Sequence, residues 1–164
     1  MTAPSTNIRT PVLEDAPRLG YVHSTCFREV YRDVTPQGFV RSLDPQELTD
    51  SWTQIIAYEG NNKFVAEVEG EIVGFSSSGP GRDDEGPRDL ELYSIYLLSK
   101  HYGSGLGQKL LDAAVGDEPA YLWVAEDNAR SQTFYERNGF TADGARRIED
   151  FIGTASFSEI RMRR

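Results

Sequence analysis

Apolar residues in this chain change their spacing several times, and each change marks an element. Ile8 to Val12 reads as a short first strand, after which Glu14, Asp15 and Pro17 supply acidic, proline-containing signals for a helix start. Leu19, Val22, Cys26, Phe27 and Val30 then recur at helical spacing and predict an amphipathic helix. Pro36, Gly38 and Pro45 punctuate the stretch from Tyr31 to Trp52, which predicts a broken, partly helical connection. Lys63 to Val68 and Glu71 to Ser76 are β-rich runs flanking Glu69-Gly70, a two-residue turn that predicts a hairpin. From Gly79 to Arg88 the polar sequence GPGRDDEGPR predicts a mobile loop without regular structure. Asp89 to Leu98 then predicts a central strand, Gly105 to Val115 a helix, and Tyr121 to Val124 another strand. Asn128 can cap a helix running to about Arg137, and Phe140 to Asp143 and Phe157 to Arg163 predict two closing strands.

Strand, helical region, three strands, helix, strand, helix and two strands is an α+β or mixed α/β order, in which helices pack on a mostly antiparallel sheet. The 164 residues suit one domain, 1–164, with residues 1–6 expected to form a flexible tail. A hydrophobic fraction of 38% provides for a real core and excludes a disordered chain. Lys and Arg number 17 against 26 Asp and Glu, so a net charge of -9 disfavours nucleic acid and anionic lipid as partners. The basic cluster Arg161, Arg163, Arg164 is too small to reverse that sign. Cys26, the single cysteine, excludes an internal disulfide framework, and no Cys/His spacing suits a structural zinc. The first ten residues carry no signal-like apolar run, and no stretch approaches the roughly 18 apolar residues of a membrane span. A soluble, cytoplasmic protein is the expectation.

Chemistry concentrates after the central strand. Gly103, Gly105 and Gly107 alternate where a helix begins, so backbone amides can approach a ligand at the positive end of the helix dipole. Such a turn suits a pyrophosphate, although a glycine connector that binds nothing has the same sequence. Two familiar phosphate loops do not fit. A P-loop would need Lys-Ser or Lys-Thr after its last glycine, whereas Gly107 is followed by Gln108. A dinucleotide fingerprint would need G-x-G-x-x-G after a first strand; here the spacing differs and the loop lies late in the chain. A nicotinamide-binding oxidoreductase is therefore the weaker reading.

Two segments carry a resemblance. Tyr102-Gly103-Ser104-Gly105-Leu106-Gly107 is similar to a Q/R-x-x-G-x-G/A helix opening, and Asn128 to Tyr135, ahead of Gly139-Phe140, is similar to N-x-x-A-x-x-F-Y before G-F. In this order and separation, with a hairpin before them, the chain from about Ile8 to Arg163 resembles the GNAT superfamily of acyl-CoA-dependent N-acyltransferases. Tyr102 departs from the usual Gln or Arg, and Ser131 replaces alanine.

The resemblance implies a twisted sheet of six or seven strands, splayed between its two central strands, with acetyl-CoA as cosubstrate. It implies that the amides of Gly103, Ser104, Gly105, Leu106 and Gly107 hold the pyrophosphate, with Tyr102 beside them. Ile95, Tyr96 and Leu97 would pair with the pantetheine arm through their backbone, the Ile95 amide facing the thioester oxygen. Asn128 would cap its helix and touch that arm, and Arg130 would face the 3′-phosphate. Tyr135 is the implied general acid, because a phenol is protonated at neutral pH and can supply a departing thiolate. Glu91 is the candidate base that draws the amine proton, with a solvated strand-edge glutamate the equally weighted reading.

His23 reads as a core or groove histidine, His101 as exposed, and Cys26 as core packing. Phe27, Glu29, Tyr31, Asp33, Asp44 and Glu47 are candidates for an acceptor groove suited to a cationic amine with an apolar body, or for an ordinary acidic surface. The expected activity is direct acetyl transfer from acetyl-CoA to the amine of a small molecule. Its alternatives are a protein or peptide N-acetyltransferase and a non-catalytic acyl-CoA-binding module. Closing strands near the C-terminus leave an edge that would suit a homodimer.

Overall fold

The computed structural model describes residues 2–31, 44–151 and 155–164, with the side chains of Tyr31, Asp150, Phe151, Ala155 and Ser156 outside the description. Its elements in chain order are β1 (Thr6–Arg9), a 3₁₀ turn (Leu13–Asp15), α1 (Ala16–Tyr31), α2 (Pro45–Ala57), β2 (Asn62–Val68), β3 (Glu71–Pro80) and β4 (Leu90–Leu97). A second 3₁₀ turn (Ser99–His101), α3 (Leu106–Val115), β5 (Tyr121–Ala125), α4 (Ala129–Arg137), β6 (Thr141–Phe151) and β7 (Ala155–Arg163) follow. The strands form one seven-stranded sheet in the order β1-β2-β3-β4-β5-β7-β6. Every neighbouring pair is antiparallel except β4 and β5.

That parallel pair positions the site. β4 and β5 are in register only at Glu91 with Tyr121 and Leu92 with Leu122, and beyond these residues they part. A bulge accompanies the parting: β3 and β4 slip register between Ser77 and Ser78, leaving Tyr93 as the extra residue on β4. A bulge bends its strand and sharpens its twist, here at the point where the sheet splits. It also reverses the side-chain alternation, so that Leu92 and Ile95, opposite Ser78 and Ser76, share one face.

The two faces of β3 show how the helices are held. Phe75 packs edge-on against Trp52 of α2, with ring centroids 4.7 Å apart, and beside His23 of α1 at 5.3 Å. On the opposite face, the Ser76 hydroxyl donates to the Leu110 carbonyl (3.0 Å) and the Ser78 hydroxyl to the Ala114 carbonyl (2.6 Å), both on α3. Small residues let α3 lie close to the strand, and a buried hydroxyl is tolerated because each one donates. Leu19, Val22 and Cys26 build the core under α1, while Leu111, Val115, Leu122, Phe140 and Met162 build it under α3 and α4. Fully burying one such leucine contributes about 1.5–3 kcal/mol.

Several expectations need correction. The first strand is Thr6–Arg9 rather than 8–12, and Ser5 already receives a backbone bond from Glu69, so the tail is shorter than six residues. The 79–88 segment is tied down: Gly81 N–H donates to Asp89 O (2.7 Å), Asp83 N–H to the Tyr121 hydroxyl (3.0 Å), and the Asp83 carboxylate accepts from Trp123 Nε1 and Arg161. Its composition specifies irregular backbone, but long-range side chains decide whether that backbone moves. β6 runs to Phe151 instead of Asp143 because it is a sheet edge. Its residues need not alternate, and Ile148 is 70% exposed. α2 is a full helix, begun by Pro45 and capped by Asp44, whose carboxylate accepts from Gln46 N–H. No helix among the described residues is long and apolar enough to cross a membrane.

Candidate active site

Where β4 and β5 separate, a cleft of about 640 Å³ opens between them. β4 from Leu92 to Leu97, β5, α4 and the turn before α3 line it. Beyond Leu92 β4 is no longer in register with β5 among the described residues, and an edge of this kind suits an extended ligand.

The glycine turn is shaped for an anion. Gly105 is the N-cap of α3 with φ 85°, a left-handed conformation that only glycine adopts cheaply. A Cβ added at Gly103, Gly105 or Gly107 would meet no heavy atom within 4 Å, so the concavity is open to a ligand rather than filled by protein. Leu106, Gly107 and Gln108 present the amides of the helix's first turn, which have no intrahelical acceptor. Ser104 Oγ accepts from the Leu106 amide at 3.3 Å. A diphosphate fits this arrangement by charge and by space.

Tyr102 stands where the resemblance has Gln or Arg, and the Arg130 guanidinium stacks on its ring, 3.3 Å from the centroid. A cation is thereby held beside the glycine turn by α4 instead of by position 102. Burial pushes the Tyr102 phenol up from its ordinary value, so it stays neutral. Glu29 also reaches the cleft wall, but both its oxygens accept from Ser99, Oε2 from the amide (3.0 Å) and Oε1 from the hydroxyl (2.9 Å).

Tyr135 lies on the cleft wall, 9% exposed, with its ring between Phe134 (5.4 Å) and Phe140 (6.0 Å). Asn128 is on the same wall and caps α4, its Oδ1 accepting from Ser131 N–H at 3.1 Å. Of the residues singled out from sequence, Ile95, Tyr96, Leu97, Tyr102, Gly103, Gly105, Gly107, Asn128, Arg130 and Tyr135 are therefore gathered around one space.

Glu91 is placed differently. It is 1% exposed and absent from the cleft wall. Its Oε2 accepts from Arg82 N–H (2.9 Å), Arg82 Nε (3.1 Å) and the Tyr121 hydroxyl (3.2 Å), and its Oε1 from Arg82 Nη2 (2.8 Å). A carboxylate engaged in this way is an anchor for the 79–88 loop, with both oxygens already taken by Arg82 and Tyr121. Its place in the register goes with this: Glu91 lies opposite Tyr121, where β4 and β5 are still paired, and its carboxylate is turned to Arg82 and Tyr121.

The acid that the sequence reading missed is Glu159. It lines the cleft at 8% exposure, and Arg147 Nε donates to its Oε1 at 2.8 Å. Burial pushes its carboxyl up, partly opposed by Arg147. Strand alternation puts Ile160 and Met162 into the core, so in the sequence Glu159 looks like a solvent-facing residue; only the splay turns that face into a wall.

The other candidates fall away from the site. His23 accepts from Trp52 Nε1 through Nδ1 (3.2 Å), and burial pushes its pKa down to about 4. Cys26 is buried in the core, which pushes its thiol up to about 12 and leaves it unreactive. Phe27 is core, Asp44 caps α2 and Glu47 is exposed on α2. Asp33 and the side chain of Tyr31 lie outside the described residues.

Comparison with known proteins follows the same geometry. The family model described as Acetyltransferase (GNAT) family matches residues 17–140. The uncharacterized N-acetyltransferase YuaI of Bacillus subtilis (strain 168) is 33% identical over 136 residues, 79% of this chain and 76% of that protein. Among solved structures, the PaiA N-acetyltransferase of Thermoplasma acidophilum in complex with coenzyme A superposes with a TM-score of 0.72 at 20% identity, covering 94% of this chain and 98% of that one. The ribosomal-protein-alanine N-acetyltransferase of Brucella melitensis gives a TM-score of 0.72 at 25% identity, over 96% and 98% of the two chains.

Proposed function

The chain belongs to the acetyltransferase (GNAT) family, and on that premise we propose that it transfers the acetyl group of acetyl-CoA directly to the amine of a small molecule. One observation carries the reading: an open glycine turn, a strand edge that has parted from its neighbour and a buried tyrosine border the same cleft. The complex of PaiA with coenzyme A supports the choice of cosubstrate.

When bound, acetyl-CoA supplies the acyl group and a thiolate leaving group. The amides from Gly103 to Gln108 hold the diphosphate, and Arg130, steadied on Tyr102, faces the 3′-phosphate. The backbone of Ile95, Tyr96 and Leu97 pairs with the pantetheine arm as an added strand would, with Asn128 beside it. The Ile95 amide donates to the thioester oxygen as negative charge develops there. Tyr135 gives its proton to the thiolate sulfur. Glu91 acts one step back: it fixes Arg82 and Tyr121, and with them the loop that borders Tyr93 and Trp123.

A protein N-terminus is the second reading, favoured by the likeness to the ribosomal-protein-alanine enzyme. Against it, the acid on the cleft wall is more than nine-tenths buried, within reach of a small amine. The test is thermal denaturation with acetyl-CoA, longer acyl-CoAs and NAD(P), followed by thiol release across small amines and N-terminal peptides. Stabilisation by acetyl-CoA alone with release on small amines is expected. Stabilisation by NAD(P) but not by acetyl-CoA would overturn the reading, and release on peptides alone would select the second one.

A further inference from the structure

We propose that Glu159 is the carboxylate that receives the acceptor's ammonium group and takes its proton, in a cleft that favours an amine without a neighbouring carboxylate. The inference rests on the acetyl-transfer reading above and names the acceptor side of that site. Three acids bear on the cleft region, and two are engaged at both oxygens: Glu29 by Ser99, and Glu91 by Arg82 and Tyr121. Glu159 is held through Oε1 by Arg147, and among the described residues Oε2 receives no hydrogen bond. It is therefore the acid on this wall with capacity left for a donor that enters the cleft.

Its neighbours suit a cation. Glu159 sits opposite Ala125 on β5 and Arg147 on β6, on the face of the sheet that carries Trp123 and Arg161. Trp123 and Tyr93 line the cleft with it; Arg147 stacks on the Trp123 ring (4.4 Å) and Arg82 on the Tyr93 ring (4.1 Å), so what they offer the body of an amine is apolar wall. Arg147 is shared between Glu159 and Glu149 (2.8 and 3.0 Å), so that cluster is one negative charge in excess. The charged groups facing Glu159 are Arg147 and Glu149 from β6 and Arg82 from the loop after β3. Arg82 is already paired with Glu91, and Arg161 with Asp83 and Asp143. Among the described residues there is thus no guanidinium beside Glu159 without a carboxylate partner to bind an acceptor carboxylate. An α-amino acid would leave that group unpaired in a half-dry cleft, whereas a simple amine leaves nothing unpaired.

The proton count closes. The ammonium loses one proton to Glu159 Oε2, the nitrogen lone pair attacks the thioester carbon, and an N–C bond forms as the carbonyl electrons move to oxygen. Collapse breaks the C–S bond, the sulfur takes the Tyr135 proton, and the second nitrogen proton returns to the tyrosine through water. Glu159 then releases its proton to solvent, so an ammonium and a thioester give an amide, a thiol and one proton. Burial, which pushes this carboxyl up, makes it able to hold that proton in passing.

The probes are n-butylammonium chloride and glycine, titrated by saturation-transfer NMR into the full chain saturated with coenzyme A. Saturable n-butylammonium binding is expected, with glycine about tenfold weaker, and Glu159→Gln should weaken n-butylammonium at least about tenfold. The same variant should cut thiol release with n-butylamine by about 100-fold and remove the acidic limb of its kcat/KM profile, while coenzyme A affinity stays within about twofold. Glu159→Asp should recover part of the binding, which separates a charge effect from misfolding. Equal binding by wild type and Glu159→Gln, no saturable binding by wild type, or glycine preferred over n-butylammonium would each overturn the proposal. Saturable binding with no thiol release would overturn its proton-transfer half. Failure to bind coenzyme A while Glu159-dependent n-butylammonium binding persists would instead count against the acetyl-transfer reading alone.

Discussion

The two sides of the cleft are built from different materials. The donor side is mostly backbone: amides of a glycine turn, the open edge of β4 and one helix dipole, with Tyr135 and Arg130 as its side chains. The acceptor side is mostly side chains held in pairs from different strands and loops, Arg147 with Glu159 on the wall, and Arg82 with Glu91 and Arg161 with Asp83 behind it. Backbone recognition tolerates wide change in residue type, so a donor half can be shared across a family. Side-chain pairs are replaceable one at a time, which lets an acceptor half change its substrate while the sheet stays the same.

That contrast can be broken by substitution. Tyr135→Phe removes the proton donor and leaves the backbone contacts in place, so turnover should fall about 10²-fold or more with coenzyme A affinity kept, as steady-state kinetics and calorimetry would register. A comparable drop in coenzyme A affinity would mean that Tyr135 holds the arm and supplies no proton.

Acid should weaken the layer behind the donor strand first. His23 packs beside Tyr96 of β4 (5.6 Å between centroids), and its Nδ1 already accepts from Trp52. Its folded pKa of about 4 lies below the ordinary 6.5, so the unfolded chain binds the proton first. Stability is then lost as pH falls from 6.5 towards 4, by at most about 3 kcal/mol. Hydrogen exchange over that range should show α1 and β3 opening before β7, and His23→Phe should flatten the dependence.

Glu91→Gln should lower the melting temperature through the lost ion pair with Arg82, at a cost of about 1–3 kcal/mol. Coenzyme A affinity should be spared, which chemical denaturation beside calorimetry would establish. The smallest effect, and the sharpest on the donor side, is Gly107→Ala. A Cβ there meets no protein atom, and alanine suits a helix better by about 0.5–1 kcal/mol, so the protein should be as stable or slightly more so. Acetyl-CoA affinity should nevertheless fall about tenfold, because the added methyl occupies the anion's space.

Legibility divided along the same line. The hairpin at Glu69-Gly70, the helix from Leu106, the capped helix after Asn128 and the glycine turn were readable because each depends on residues close in sequence. Glu91 and Glu159 were not, because their burial depends on strands that meet far apart in the chain. The bulge at Tyr93 illustrates the difficulty, since Leu-Tyr-Ser-Ile alternates as well without an extra residue as with one.

Local chemistry thus determined most of the elements, the glycine turn and the helix that carries Tyr135, since turns, caps and helix starts are decided within a few residues. Tertiary structure alone decided which glutamate faces the cleft. Glu91 and Glu159 emerge on the same face of the sheet, but Glu91 sits where β4 and β5 are still paired and Glu159 beside the stretch where they have parted, and that is a property of paired strands that no single segment carries.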